Sequence, residues 1–207
     1  MTTRPEHDGP PSAPSDYQLL LPDGWFRILL DPEQRDRSVD ALAERRFQGI
    51  DNAPHLKDEM RADLRRRAAE AYRGGGIELY LSFQEAGPLT IPASLLVSLA
   101  PLRGPEPLSP HDLAAAFARG AEPDEDDTKV SVEELAAGTA VRVRSTTRPT
   151  ERERQDGQRA SVSVEYHVPV PGSAQYLLLT FSTPLEPVAD AMAGLFDAIA
   201  SSLTWTE

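Results

Sequence analysis

The stretch QYLLLTF at 175–181 constrains the fold of this chain more than any other. It is apolar on both faces of an extended backbone, and only a strand covered on both sides buries such a run. The segments around it alternate instead. In ASVSVEYHV, Val162, Val164, Tyr166 and Val168 share one face, and in TAVRVRST Val141 and Val143 do. Ile77, Leu79, Leu81 and Phe83 alternate with Glu78, Tyr80 and Ser82 in a half-buried strand, and ASLLVSLAP follows a turn at Gly87 and Pro88. The expected class is therefore α+β, a central antiparallel sheet with helices on both faces, an α/β/α sandwich.

Helical segments punctuate the strands. Asp31-Pro32-Glu33-Gln34 supplies an N-cap oxygen and a proline at the first helical position, and Val39, Leu42, Ala43 and Phe47 follow at helical spacing, which predicts a helix over 32–47. Leu56, Met60, Leu64, Ala68, Ala71 and Tyr72 mark one face of a second, stopped by three glycines at 74–76. Ser109 to Asp112 repeats the start signal, with Leu113 and Phe117 as the stripe of a short helix ending at Gly120. Thr183-Pro184-Leu185-Glu186 has the form of a capping box, and behind it Val188, Met192, Leu195, Phe196, Ile199 and Leu203 form one apolar stripe. Asp190 and Asp197 lie off its centre. Pro22-Asp23-Gly24 predicts a turn between two short apolar runs.

At 207 residues the chain can bury a full core as one domain, assigned to 16–207. Residues 1–15, with four prolines in the first fourteen positions, read as a disordered tail. No run has the length and apolarity of a signal peptide or a membrane span, so a soluble cytoplasmic protein without membrane insertion is expected. The net charge of −12 disfavours nucleic acid. With 0 cysteines, thiolate catalysis and cysteine-type zinc sites are excluded. Of the basic residues only Lys57 and Lys129 are lysines, a bias that suggests a GC-rich coding genome.

No catalytic set assembles in the sequence. His7, His55, His111 and His167 lack convincing partners, and His55 with Asp58 and Glu59 reads as a first helical turn whose acids complement the helix dipole. The three glycines follow a helix and precede a strand, the reverse of a phosphate loop. Catalytic, metal and cofactor-binding residues are therefore expected to be none. Arg61, Arg65, Arg66 and Arg67 concentrate on the second helix and are candidates for binding an acidic partner, against the plainer reading of a face balanced by Asp58, Asp63 and Glu70. The acidic loop 122–127 is a possible intramolecular counterpart, with Arg66 and Asp126 as the pair to test. Trp25, Tyr80 and Tyr166 are candidates for lining a small-ligand pocket, with core packing as the alternative fate of their rings.

The element order, with YQLLLPDGW near the start and YLLLTFSTPLEPVADAMAGLFDAIASSLTW at the end, resembles the PsbP-like fold, seen also in small bacterial lipoproteins of the LpqN type. The matching residues are Pro22, Gly24, Trp25, Phe181, Phe196, Leu203 and Trp205, within 16–30 and 160–207. The resemblance implies an accessory or binding protein rather than a catalyst. It carries over no metal ligands and no cofactor. The expectation is a non-enzymatic bacterial adaptor acting through an unknown protein partner, with a secretion apparatus as one setting. The rival reading is a small-ligand binding module with a pocket between sheet and helix.

Overall fold

The computed structural model describes residues 14–50, 52–86, 89–101, 108–120, 128–149, 151 and 160–206. Its elements, in chain order, are β1 (Asp16–Gln18), β2 (Trp25–Leu29), α1 (Pro32–Arg46), α2 (Pro54–Arg73), β3 (Gly76–Ala86), β4 (Leu89–Pro101), α3 (Pro110–Gly120), β5 (Lys129–Leu135), β6 (Gly138–Thr147), β7 (Ser161–Pro169), β8 (Gln175–Thr183), α4 (Ala189–Ser201) and β9 (Thr204–Thr206). A 3-10 turn, Glu186–Val188, leads into α4. Seven strands form an antiparallel sheet in the order β2-β3-β4-β8-β7-β6-β5, and β1 pairs with β9 in a separate ribbon. The doubly apolar β8 sits between β4 and β7, at the centre. The α+β class and the covered antiparallel sheet are those expected from the sequence.

Each face of the sheet has its own core. On one side Leu95, Val97, Val164, Tyr166, Val168, Leu177, Leu179 and Phe181 pack under α4 through Met192, Phe196, Ile199 and Leu203. The Phe181 and Phe196 rings stack with centroids 5.0 Å apart. On the other side Ile28, Leu30, Val39, Leu42, Leu64 and Ala68 join α1 and α2 to the β2–β3 end. The third helix, α3, lies over β5 and β6, with Phe117 against the His167 ring at 4.7 Å.

Local signals explain most boundaries. The Asp31 side chain accepts from the Glu33 N–H at 2.9 Å and starts α1. Ser109 Oγ accepts from the Asp112 N–H at 3.1 Å and starts α3. After α2 the chain reverses through Gly75 at φ 87°, and Gly76 enters β3 where a Cβ would stand 2.7 Å from the Ala71 carbonyl oxygen and 2.8 Å from Leu30 Cδ1. Only glycine fits there.

Several expectations are corrected. Thr183 forms no capping box. Its hydroxyl donates to the Pro92 carbonyl at 3.0 Å and α4 begins at Ala189, because the proline-rich 184–187 first makes a tight turn. The expected outer face of β3 is the more deeply buried one: Glu78, Tyr80 and Ser82 are 8, 9 and 2 % exposed, because the β1–β9 ribbon and α4 cover that side. Leu56 and Tyr72, assigned to the buried stripe of α2, are 48 and 45 % exposed, and burial in α2 centres on Leu64 and Ala68 in its middle. Strands β5 and β9 were not anticipated. Ser15, placed in the tail, donates its N–H to Thr206 at 3.0 Å. Residues 1–13, the turn at 87–88 and the acidic loop 122–127 lie outside the described residues, and with the loop goes the Arg66–Asp126 pairing.

Candidate functional site

The last helix is the most unusual surface element. A chain with 26 % charged residues places only Asp190 and Asp197 on α4, and both are committed to β6. Arg142 grips Asp197 with two bonds, Nε to Oδ1 at 2.8 Å and Nη2 to Oδ2 at 3.2 Å. The Tyr166 hydroxyl donates to the same carboxylate at 2.8 Å. Burial, then this bond, pushes the Tyr166 phenol well above the ordinary tyrosine range. Arg144 bonds Asp190 at 2.6 Å and holds its carboxyl below the usual carboxylate range. Arg148 reaches Glu186 at 3.2 Å. Three arginines from one side of the sheet thus fix the orientation of α4.

That orientation leaves Ala191, Gly194, Ala198 and Ser201 facing outward. A Cβ on Gly194 would meet nothing within 4 Å. Beside this small-residue face runs the segment 19–22, tied down by a bond from the Leu20 N–H to Ser202 Oγ at 2.9 Å. Leu20 is 76 % exposed, the most open large apolar side chain described. Together Leu20, Leu21, Pro22, Leu195, Ala198, Ile199 and Ser202 line a shallow apolar cleft of about 320 Å³ without a charged member. Exposed apolar surface of this kind marks contact sites more often than solvated ones.

The residues singled out in the sequence fall elsewhere. Arg61 pairs with Asp40, Glu44 and Asp58, and Arg65 with Asp36 and Asp40, so both bind α2 to α1. Arg66 and Arg67 share Asp63 within α2. The structure thus divides the four arginines between two separate ion-pair systems. Asp58, once grouped with His55 and Glu59, is engaged by Arg61, and among the described residues no three metal-ligating side chains converge. Tyr80 and Tyr166 are core residues of the α4 face, and Trp25 packs half-buried at its margin with Nε1 unpartnered among the described residues. Tyr80 and Tyr17 donate to the buried Glu78 carboxylate at 2.5 and 2.8 Å, and Arg27 pairs with it from the other side. These groups hold β1 to the sheet.

A second cleft, of about 210 Å³, lies under the β1–β9 ribbon among Tyr17, Leu99, Leu177 and Trp205. It is smaller than the roughly 300–1,000 Å³ typical of small-molecule sites. Sequence reasoning identified the buried stripe of α4 and missed the exposed side. The scarcity of charge in ADAMAGLFDAIAS was the available signal.

No family model and no curated protein sequence matches the chain. Several solved structures resemble it, three of which are as follows. LpqN of Mycobacterium tuberculosis, described as involved in cell envelope biogenesis, is 16 % identical over 97 % of this chain and 88 % of its own, with a TM-score of 0.49. The Ran-binding protein Mog1p of Saccharomyces cerevisiae is 12 % identical over 63 % of this chain and 79 % of its own, with a TM-score of 0.41. PsbP (CyanoP) of Synechocystis is 12 % identical over 98 % of both chains, with a TM-score of 0.42. The weak resemblance to the PsbP-like fold expected from the sequence is found, and it extends beyond the two segments that suggested it. It is a likeness of fold and carries no activity with it.

Proposed function

We propose that the chain is a non-enzymatic adaptor that docks an apolar helix of a partner protein on the outer face of α4. The uncharged surface of Leu20, Gly194, Leu195 and Ala198 carries this reading. Its small side chains let a helix approach to the 8–10 Å axial separation of close packing. Leu20 and Pro22 form one wall of the cleft, which favours a convex apolar partner over a flat one. Cytoplasmic residence accords with this role, and no described helix is long and apolar enough to cross a membrane. The alternative of a small-ligand module has weaker support, because Tyr80 and Tyr166, its candidate lining residues, are packed in the core.

The test is photo-crosslinking in the native host with a crosslinking amino acid at position 198, compared with the same protein carrying Leu20→Asp and Gly194→Arg. A defined crosslinked partner that both substitutions abolish supports the proposal. A component of a secretion apparatus among such partners would supply the setting. Crosslinks only to a second copy of the chain, or an unchanged pattern in the variants, would refute it. Turnover of a substrate by the purified protein, lost on a point mutation, would refute the non-enzymatic part.

A further inference from the structure

Among the basic residues of α1 and α2, Arg37 and Arg73 have no carboxylate partner among the described residues, Arg73 donating to the Ala69 carbonyl at 3.3 Å, and the others divide into two groups. Arg35, Lys57, Arg61, Arg65, Arg66 and Arg67 each have a carboxylate within 4.0 Å or less. Arg45 and Arg46, in the last turn of α1, have none among the described residues. The Arg45 guanidinium carbon lies instead 4.7 Å from the centre of the Phe26 ring, and that of Arg46 5.6 Å from the centre of Phe83. Both arginines are exposed, and both rings are half-buried against the α1–α2 core.

Strand register explains why the two sit together. Phe26 is opposite Leu81, so Phe83, two residues along β3 on the same face, is its diagonal neighbour. Two adjacent rings at the sheet end thus carry two adjacent guanidiniums. Basic residues in a last helical turn are commonplace, since they complement the negative end of the dipole. That effect does not require a ring under each cation. It also does not explain two neighbouring cations without an acid in a chain holding 33 acidic residues against 21 basic ones. Glu44, one residue before Arg45, is taken by Lys57 and Arg61.

A guanidinium held on an aromatic face is oriented in advance, while its N–H fork stays suited to a carboxylate. Arg45 also lines a concavity of about 500 Å³ with Phe47, the 47 % exposed Ile50 and the Glu44–Lys57 ion pair. β2, which carries Phe26 under Arg45, is the terminal strand of the sheet, and an edge strand offers backbone groups to an extended chain. We infer that Arg45 and Arg46, on Phe26 and Phe83, form a docking site for an extended acidic segment of a partner polypeptide. The net charge of −12 repels a long polyanion more than a short acidic stretch confined to the two arginines. The site is on the α1 side of the sheet, opposite α4, and does not depend on the α4 reading.

The experiment is fluorescence anisotropy of a labelled oligo-glutamate peptide, with oligo-glutamine and oligo-thymidylate DNA as comparisons, at low and high salt. The wild-type chain should bind oligo-glutamate and not oligo-glutamine, with affinity falling as salt screens the contact. Arg45→Gln with Arg46→Gln should weaken binding about tenfold or more, as loss of two charge-assisted contacts requires. Arg66→Gln with Arg67→Gln should change it by less than about twofold, because those side chains are held by Asp63. Phe83→Leu keeps both charges and should also weaken binding, which separates a built site from general attraction. Circular dichroism checks that each variant folds. Equal losses in the two arginine pairs, no effect of Phe83→Leu, absence of oligo-glutamate binding, or tighter binding of the DNA would each overturn the inference.

Discussion

Replacing Phe196 by alanine should remove the main contact that holds α4 on the sheet. The side chain is 0 % exposed and its ring lies 5.0 Å from that of Phe181, with the planes tilted by 19°. A buried Phe→Ala change costs about 3–5 kcal/mol through lost transfer energy and the cavity left behind. The stacked partner places this site in the upper half of that range, since such ring pairs add about 0.5–1.5 kcal/mol beyond area. For a chain of this size each kcal/mol lowers Tm by about 2–4 °C, so a fall of about 8–20 °C is expected. Differential scanning calorimetry and urea titration measure it independently. Phe196→Leu should lose less than half as much, because it keeps most of the volume. A loss below about 1.5 kcal/mol for Phe196→Ala, or equal losses for both variants, would refute the packing argument and the assignment of α4 as a core helix.

Four further outcomes follow from the same structure. Gly76→Ala should destabilise by about 1–3 kcal/mol in urea titration, because the new Cβ meets the Ala71 carbonyl oxygen and Leu30, and a neutral result would refute the tight α2–β3 junction. Arg142→Ala should cost about 1–2 kcal/mol and Tyr166→Phe about 1 kcal/mol, with a non-additive double variant, since both bond Asp197. Tyr17, Tyr80, Tyr166 and Tyr176 all have phenols raised in the fold, chiefly by burial, so their contribution to stability is complete below the unfolded tyrosine pKa of about 10 and is lost as pH rises above it. Thermal melts from pH 8 upward should show that loss, together with a further rise in phenolate absorbance from these four tyrosines as the chain unfolds. Asp31→Ala should destabilise by about 0.5–2 kcal/mol through loss of the α1 cap, as read by urea titration.

What the sequence determined by itself was whatever depends on neighbours along the chain. Alternation in 161–168 and the doubly apolar 175–181 placed β7 and β8; the inward set Val162, Val164, Tyr166 and Val168 is buried as read, and β8 lies at the centre of the sheet with Leu177, Leu179 and Phe181 buried. Caps and glycines placed α1, α2 and α3 to within a residue or so. Tertiary structure alone decided which face of a strand went deepest and which charges were left without partners. Glu78 is buried because β1 and β3, sixty residues apart, bring Tyr17 and Tyr80 to its carboxylate. Of the arginines on α2, Arg61 and Arg65 are taken by acids of α1 and Arg66 and Arg67 by Asp63, whereas Arg45 and Arg46, unremarked in the sequence, meet the rings of Phe26 and Phe83. Likewise Leu20 joins α4 only because Ser202, far along the chain, anchors its backbone. Local propensity is written in contiguous residues, but exposure and pairing depend on distances between segments, and only the folded chain sets those.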